Sequence, residues 1–220
     1  MAQVRDNYHA LVRREVLELV PQDAGKVLDV GGGVGASSAF LKTAGKATGA
    51  VLVDLVADEH HPEIDAAYGG NLEDPELLRR IGVEQGPFNT ILCLDVLEHI
   101  TDPWSVVGRL RDMLSPGGVI VASIPNVRNY RLVVPLVIHG KFELKDSGIL
   151  DRTHLRWFVE DTAVRLFTEA GMEVEVLRKH FVGPKKTLFN LLTLGLFRNF
   201  LTIQFYIRAR KPDAEGAPVE

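Results

Sequence analysis

The chain has one cysteine, Cys93, in 220 residues. No disulfide can close within it and no cysteine-based zinc site can form, which fits a reducing compartment. Cys93 lies in an apolar run, so a buried structural thiol is expected rather than a nucleophile. Long hydrophobic runs are also lacking. The longest, near Leu132–Ile138 and Leu191–Phe197, fall far short of the ~20 residues that span a bilayer. Residues 1–20 mix Arg5, Asp6, Arg13, Arg14, Glu15 and Glu18 with apolar positions and lack the core of a secretory leader. A cytoplasmic protein without a transmembrane segment is therefore expected. Charge of one sign is scarce too: 25 Lys and Arg face 29 Asp and Glu, a formal charge of -4. That is no polyanion-binding balance, and nucleic acid is not an expected partner. The charge is uneven, however, with 10 basic and 18 acidic residues in 1–125 against 15 and 11 in 126–220. Either this is ordinary surface variation, or the second half holds an anionic acceptor.

What is present is an alternation of short β-branched runs with longer helical ones, the pattern of a parallel sheet with crossover helices. Residues 8–20 read as an amphipathic helix stopped by Pro21. Lys26–Val30, Ala50–Val53, Ala66–Tyr68, Asn89–Leu94 and Val119–Ile124 read as strands. Helices are expected from the glycine-rich turn to Ala44, from Pro75, and from Pro103 to Leu114, the last capped by Asp102. Ser115-Pro116-Gly117-Gly118 reads as a turn. Residues 125–158 look irregular, and a long insertion of this kind usually serves as a lid or acceptor pocket. A helix over 160–170 and strands at Met172–Lys179 and Ile203–Arg208 follow. One domain is expected over 25–210, with an N-terminal segment (1–24) as a lid or dimer contact and a polar tail (211–220).

The strongest local signal is Val27-Leu28-Asp29-Val30-Gly31-Gly32-Gly33-Val34-Gly35-Ala36. Glycines let the backbone turn sharply and approach a ligand, and the following helix offers free N–H groups to an anion. Alone, the turn is ambiguous. Gly31, Gly33 and Ala36 also match the G-x-G-x-x-[GA] dinucleotide fingerprint, and Asp54 follows at about the spacing of a ribose-binding acid. An NAD(P)-dependent oxidoreductase thus stays open. Against its short-chain reductase form, none of Tyr8, Tyr68, Tyr130 and Tyr206 has a lysine four residues later.

Three further segments stand in order behind the glycine turn: Asp54 at a strand end, Leu94-Asp95-Val96-Leu97-Glu98-His99-Ile100, and Leu114-Ser115-Pro116-Gly117-Gly118. With the glycine turn they resemble the class I S-adenosylmethionine (SAM)-dependent methyltransferase family over roughly residues 25–180. The resemblance is to bacterial small-molecule and sugar methyltransferases and to ubiquinone-pathway O-methyltransferases. It implies a Rossmann-like α/β fold: a mostly parallel seven-stranded sheet, helices on both faces, and an antiparallel last strand. It also implies SAM as cofactor. Asp29, Gly31 and Gly33 would hold its methionine end, Asp54 its ribose hydroxyls and Leu55 the adenine face. Asn71 and Leu72 would lie at the adenine, with Glu73 an alternative to Asn71, and Asp95 would line the pocket near the methionine.

The expected activity is methyl transfer to a hydroxyl or amine of a sugar or natural-product metabolite. The acceptor side is carried by Leu150-Asp151-Arg152-Thr153-His154-Leu155-Arg156-Trp157-Phe158 and by Asn126. His154 is the named general base, because imidazole accepts a proton near neutral pH. Asp151 would share its face if the segment were helical, and His99 and Tyr130 compete for the role. Arg128, Arg131, Arg152 and Arg156 are candidates for an acceptor phosphate or carboxylate. No metal is required. His60 and His61, among Asp58, Glu59 and Glu63, read as an exposed loop rather than a ligand set. The apolar stretch 185–201 reads as a core or dimer helix, with peripheral contact to a membrane or lipid-linked acceptor as the other reading. A SAM-binding protein without catalysis is the remaining class.

Overall fold

The structure is a computed structural model that describes residues 12–181 and 190–213. Seven strands form one sheet: β1 (Gly25–Val30), β2 (Ala47–Asp54), β3 (Ala66–Gly69), β4 (Phe88–Leu94), β5 (Leu114–Pro125), β6 (Glu173–His180) and β7 (Gln204–Arg210). Their order is β3-β2-β1-β4-β5-β7-β6. The first five pair in parallel, and β7 runs antiparallel between β5 and β6. The helices are α1 (Arg14–Leu17), α2 (Ala36–Thr43), α3 (Pro75–Gln85), α4 (Pro103–Asp112), α5 (Tyr130–His139), α6 (Glu160–Thr168) and α7 (Arg198–Leu201). This is the expected doubly wound sheet with its antiparallel end.

Side chains alternate across a strand, and here they build two cores. Leu28, Ile91, Cys93, Ile120, Ala122 and Ile124 point to one face and meet Leu78 and Ile81 of α3, Val106, Val107 and Leu110 of α4, and Leu166 and Phe167 of α6. Val27, Leu92, Val119 and Val121 point to the other face and meet Val16, Leu17, Leu19, Val20 and Leu41. Residues covered on both faces read as continuous apolar runs, which is why the sequence marks these strands so clearly. Cys93 is buried as expected, and burial pushes its thiol well above the usual range.

Four expectations need correction. Ser115-Pro116-Gly117-Gly118 is no separate turn but a bulge inside β5. Leu114 lies opposite Phe88 and Val119 opposite Thr90, so four residues face Asn89 alone. A Cβ on Gly118 would stand 2.9 Å from the Ser115 carbonyl oxygen. Second, residues 125–158 are not irregular throughout. Asn129 caps α5 by accepting from the Arg131 N–H, and Pro135 is accommodated inside the helix. Third, the described part of 185–201 is not one helix. Residues 193–197 are turns, with Leu194 and Gly195 at positive φ, and only α7 follows. Leu191, Leu192, Leu194 and Leu196 are exposed, and residues 185–189 lie outside the described residues. Fourth, of the helix expected over 8–20, only Arg14–Leu17 is helical, and residues 8–11 lie outside the described residues. Among the described residues no helix is long and apolar enough to cross a membrane.

The packing predicts one stability effect. Ile91 in the middle of β4 is fully buried, so Ile91→Ala should lower unfolding free energy by about 2–5 kcal/mol, read as a lower urea midpoint with an unchanged slope.

Candidate active site at the carboxyl ends of the parallel strands

In this topology the chain reverses direction of travel across the sheet between β1 and β4, and ligands sit outside the carboxyl ends there. β1 ends at Val30, and Gly31 (φ +62°) turns the chain while its N–H donates to the Val53 carbonyl at 2.8 Å. A Cβ on Gly31 would stand 2.5 Å from Val96 Cγ2, and one on Gly32 2.5 Å from Asp29 Cγ. The turn is therefore glycine because it lies against its neighbours as well as because of its φ angles.

Asp29 is only 1% exposed. Its Oδ2 accepts from the Ser38 hydroxyl at 2.8 Å and the Ser38 amide at 3.2 Å. Burial raises its pKa to about 6 despite those bonds. The carboxylate thus braces the first turn of α2 from below. Asp54, half-buried at the end of β2, accepts from the Gly33 N–H at 2.8 Å and the Val56 N–H at 3.3 Å. Two expected cofactor residues, Gly33 and Asp54, are in direct contact. Leu55 is exposed beside them. Asn71 is exposed beyond β3, and its Oδ1 accepts from the Glu73 amide. The Leu72 side chain packs in the core, so it can offer a ligand only its backbone. Glu73 accepts from the Asp102 amide at 3.1 Å, which ties it to the start of α4.

Asp95 follows β4 with φ +57°, a left-handed conformation uncommon outside glycine. Three donors hold it there. Its Oδ1 accepts from the Ser123 hydroxyl at 2.6 Å and from Gln204 Nε2 at 2.7 Å, and its Oδ2 pairs with Arg13 at 2.5 Å. The strain and the three contacts aim the next residues, the short helical turn Leu97–His99, towards the insertion.

There the structure brings together a group that the sequence showed only in pieces. Glu98 is 1% exposed, and among the described residues neither of its carboxylate oxygens has a hydrogen-bond partner. Burial, followed by the charge of Asp95, holds its carboxyl well above the usual carboxylate range. His154 Nε2 stands 3.9 Å from Glu98 Oε1. Burial, followed by the neighbouring His99, lowers the His154 pKa. The two imidazoles meet edge to face, with ring centroids 4.7 Å apart. The segment carrying His154 is docked through its backbone: the Leu155 and Arg156 amides donate to the Glu98 carbonyl at 2.8 and 3.0 Å. One ligand-type atom from each of Glu98, His99 and His154 lies within 4.8 Å of those of the other two, the one such trio found among the described residues. His60 and His61 stay exposed and apart from it.

Other acceptor-side expectations change. Asp151 does not share a helical face with His154, because the segment is a turn. Its Oδ1 instead accepts from the Thr153 amide at 2.9 Å and hydroxyl at 2.7 Å. Asn126 is fully buried and donates to the Asn199 and Thr202 carbonyls, at the floor of a cavity it lines together with Arg128 and Glu160. Arg152 pairs with Asp146, Arg156 donates to the Thr101 carbonyl, and Arg128 lies over the Phe200 ring. Each of these three guanidinium groups has a contact within the chain, and Arg131 is exposed on α5. Sequence reasoning did not place Glu98 among the candidate site residues. Its signal was adjacency to His99, but its burial depends on residues fifty positions away.

A seven-stranded sheet of this order, with a glycine turn after β1 and an acid ending β2, defines the class I SAM-dependent methyltransferase fold. A family model described as a methyltransferase domain matches residues 4–177, and the chain belongs to that family. SAM is its methyl donor. Among curated relatives, a ubiquinone biosynthesis O-methyltransferase of Thiobacillus denitrificans is 27% identical over 172 residues, covering 76% of this chain and 72% of its own length. Another so named, from Psychrobacter arcticus, is 34% identical over 137 residues, covering 59% of this chain and 51% of its own. The chain thus spans between half and three quarters of these relatives. A SAM-dependent methyltransferase of Archaeoglobus fulgidus superposes with a TM-score of 0.62 at 16% identity, with 94% of each chain covered. The residues present fit the donor. Asp54 places a partly exposed carboxylate where a vicinal diol can bond it, and the Gly31–Gly35 turn opens α2 beside it.

The buried Asp29 generates a pH prediction. Its folded pKa of about 6 lies above that of an unfolded aspartate. The stability it contributes is therefore complete below about pH 4 and lost as pH rises through about 6. Relative to Asp29→Asn, the wild-type protein should lose about 2 kcal/mol of unfolding free energy between pH 4 and pH 7, measured by urea titration of both proteins across that range.

Proposed function

We propose that this chain transfers the methyl group of SAM to a hydroxyl oxygen of a small, ring-bearing acceptor. The observation that carries this reading is the Glu98–His99–His154 group, set beside Asp95 at the same strand ends as the glycine turn and Asp54. A hydroxyl must lose its proton to be methylated, and this is where the fold gathers groups able to assist. An aromatic wall adjoins them. His154 meets Trp157, and Trp157 meets Phe142, each with ring centroids 5.8 Å apart. Both Trp157 and Phe142 are partly exposed, which suits stacking on an acceptor ring. The relatives' description as O-methyltransferases supports the same atom.

When bound, SAM supplies an electrophilic methyl group on a sulfonium. The chain contributes position. Asp29 fixes the glycine turn, Asp54 is assigned the ribose, and Asp95 and Gly31 shape the methionine end. Leu55, Asn71 and the Leu72 backbone border the adenine side. Alignment of acceptor and methyl of this kind supplies ~7–11 kcal/mol in well-oriented reactions. Residues 25–210 form the catalytic domain in this reading, and the insertion at 125–158 carries the acceptor side.

Two measurements test it. S-adenosylhomocysteine at a hundred times its dissociation constant should stabilise the protein by ~2.7 kcal/mol, NAD and NADP should not, and Asp54→Ala should abolish the shift. A panel of phenols, catechols, nucleotide sugars and amino sugars should then yield methylated product from a ring hydroxyl. A protein that binds S-adenosylhomocysteine yet methylates only amines, or nothing, would overturn the proposal.

A further inference from the structure

Among the described residues, nothing supplies the Glu98 carboxylate with a hydrogen-bond donor. Two oxygens of one side chain, 1% exposed, face no donor among the described residues. A bare buried carboxylate of this kind is costly. The neighbouring imidazoles do not cure this, because their hydrogen bonds set the wrong tautomer for donating to it. His154 Nδ1 lies 3.1 Å from the Ile149 carbonyl oxygen, which can only accept. Its proton is therefore on Nδ1, and Nε2 turns a lone pair towards Glu98 Oε1 at 3.9 Å. His99 Nδ1 lies 3.1 Å from the Thr153 carbonyl and 3.0 Å from the Thr153 hydroxyl oxygen. That hydroxyl gives its own hydrogen to Asp151 Oδ1 at 2.7 Å. Both Thr153 atoms thus accept, and His99 also carries its proton on Nδ1.

From this geometry we infer that Glu98, His99 and His154 bind a divalent first-row transition cation. Each of the three residues offers one potential ligand atom, and these atoms lie within 4.8 Å of one another. A carboxylate with two imidazoles is the donor set of zinc, cobalt, iron and manganese sites, whereas magnesium and calcium take oxygen. Metal-bound histidines characteristically donate their other ring N–H to a carbonyl or a carboxylate-linked group. Ile149 serves His154 in that way, and the Thr153–Asp151 pair serves His99. Asp151, expected from sequence to be catalytic, becomes a positioning residue one shell out.

Three protein ligands leave coordination positions free, the arrangement of a reactive rather than a purely structural site. His99 is only partly buried, so the site opens to the acceptor side. This deepens the hydroxyl-methylation reading and rests on it. The cation lowers the pKa of an acceptor hydroxyl that reaches it. The O–H bond breaks, the proton leaves to water, and the oxygen keeps the electron pair that forms the new bond to carbon as the methyl–sulfur bond opens. His154 then acts as a ligand, not as the base.

The test titrates chelator-treated full-length protein with Co2+ and with Zn2+, and repeats the titration on Glu98→Gln and His154→Ala. S-adenosylhomocysteine thermal shifts on every sample report that the fold and donor site are intact. The wild-type chain should take up one equivalent of Co2+ and show its visible ligand-field bands, which Zn2+ should displace. Each variant should bind at least tenfold more weakly while keeping its S-adenosylhomocysteine shift. Overturning results are a wild-type protein that shifts with S-adenosylhomocysteine but binds less than a tenth of an equivalent, or variants that bind as well as wild type. Methyl transfer by metal-free protein, verified by elemental analysis, would reject the cation while leaving hydroxyl methylation standing.

Discussion

The carboxyl edge of this sheet is organised by one buried hydrogen-bonded pair, Asp29 with Ser38. The carboxylate is held under the glycine turn with almost no contact with water, at the cost of a raised pKa. It fixes the start of α2 relative to β1, and Gly32 lies directly against it. Gly33 can then reach Asp54 across the gap to β2. Were α2 to start elsewhere, the turn would lose both its closeness to the sheet and its bond to the strand-end acid.

A second constraint acts on the other side of the switch point. Asp95 leaves β4 in a left-handed conformation, held by Ser123 of β5, Gln204 of β7 and Arg13 from the N-terminal segment. Four distant parts of the chain meet at one carboxylate. That geometry sends Glu98 inward and its carbonyl towards Leu155 and Arg156, so the short turn after β4 and the insertion become one unit. The strand ends that carry the glycine turn and the 125–158 insertion are consequently neighbours by construction, joined through residues 95–98.

Much of this was legible in the sequence. The five parallel strands announce themselves as apolar runs because both faces of each are covered. The glycine turn, Asp54 and the segment 94–100 appear in order at spacings that only this fold uses together. The insertion was visible as an interruption, but its helix was not, because Pro135 and the flanking glycines speak against one. Ser115–Gly118 looked like a turn, since sequence does not reveal that β5 pairs with β4 on both sides of it and carries the extra residues as a bulge. Of the four arginines reasoned to await an anion, Arg152 and Arg156 bond within the chain and Arg128 lies over an aromatic ring, and no local pattern distinguishes a waiting guanidinium from one so engaged.

By itself, then, the sequence determined the sheet, the glycine turn with its strand-end acids and the methyltransferase class, because those rest on periodicity and on glycines and acids at short, fixed spacing. Only the tertiary structure decided what Glu98 is. Burial and the direction of a lone pair depend on which backbone carbonyl lies against which imidazole. Those contacts join residues 98 and 99 to residues 149–156, a separation across which sequence carries no geometric information.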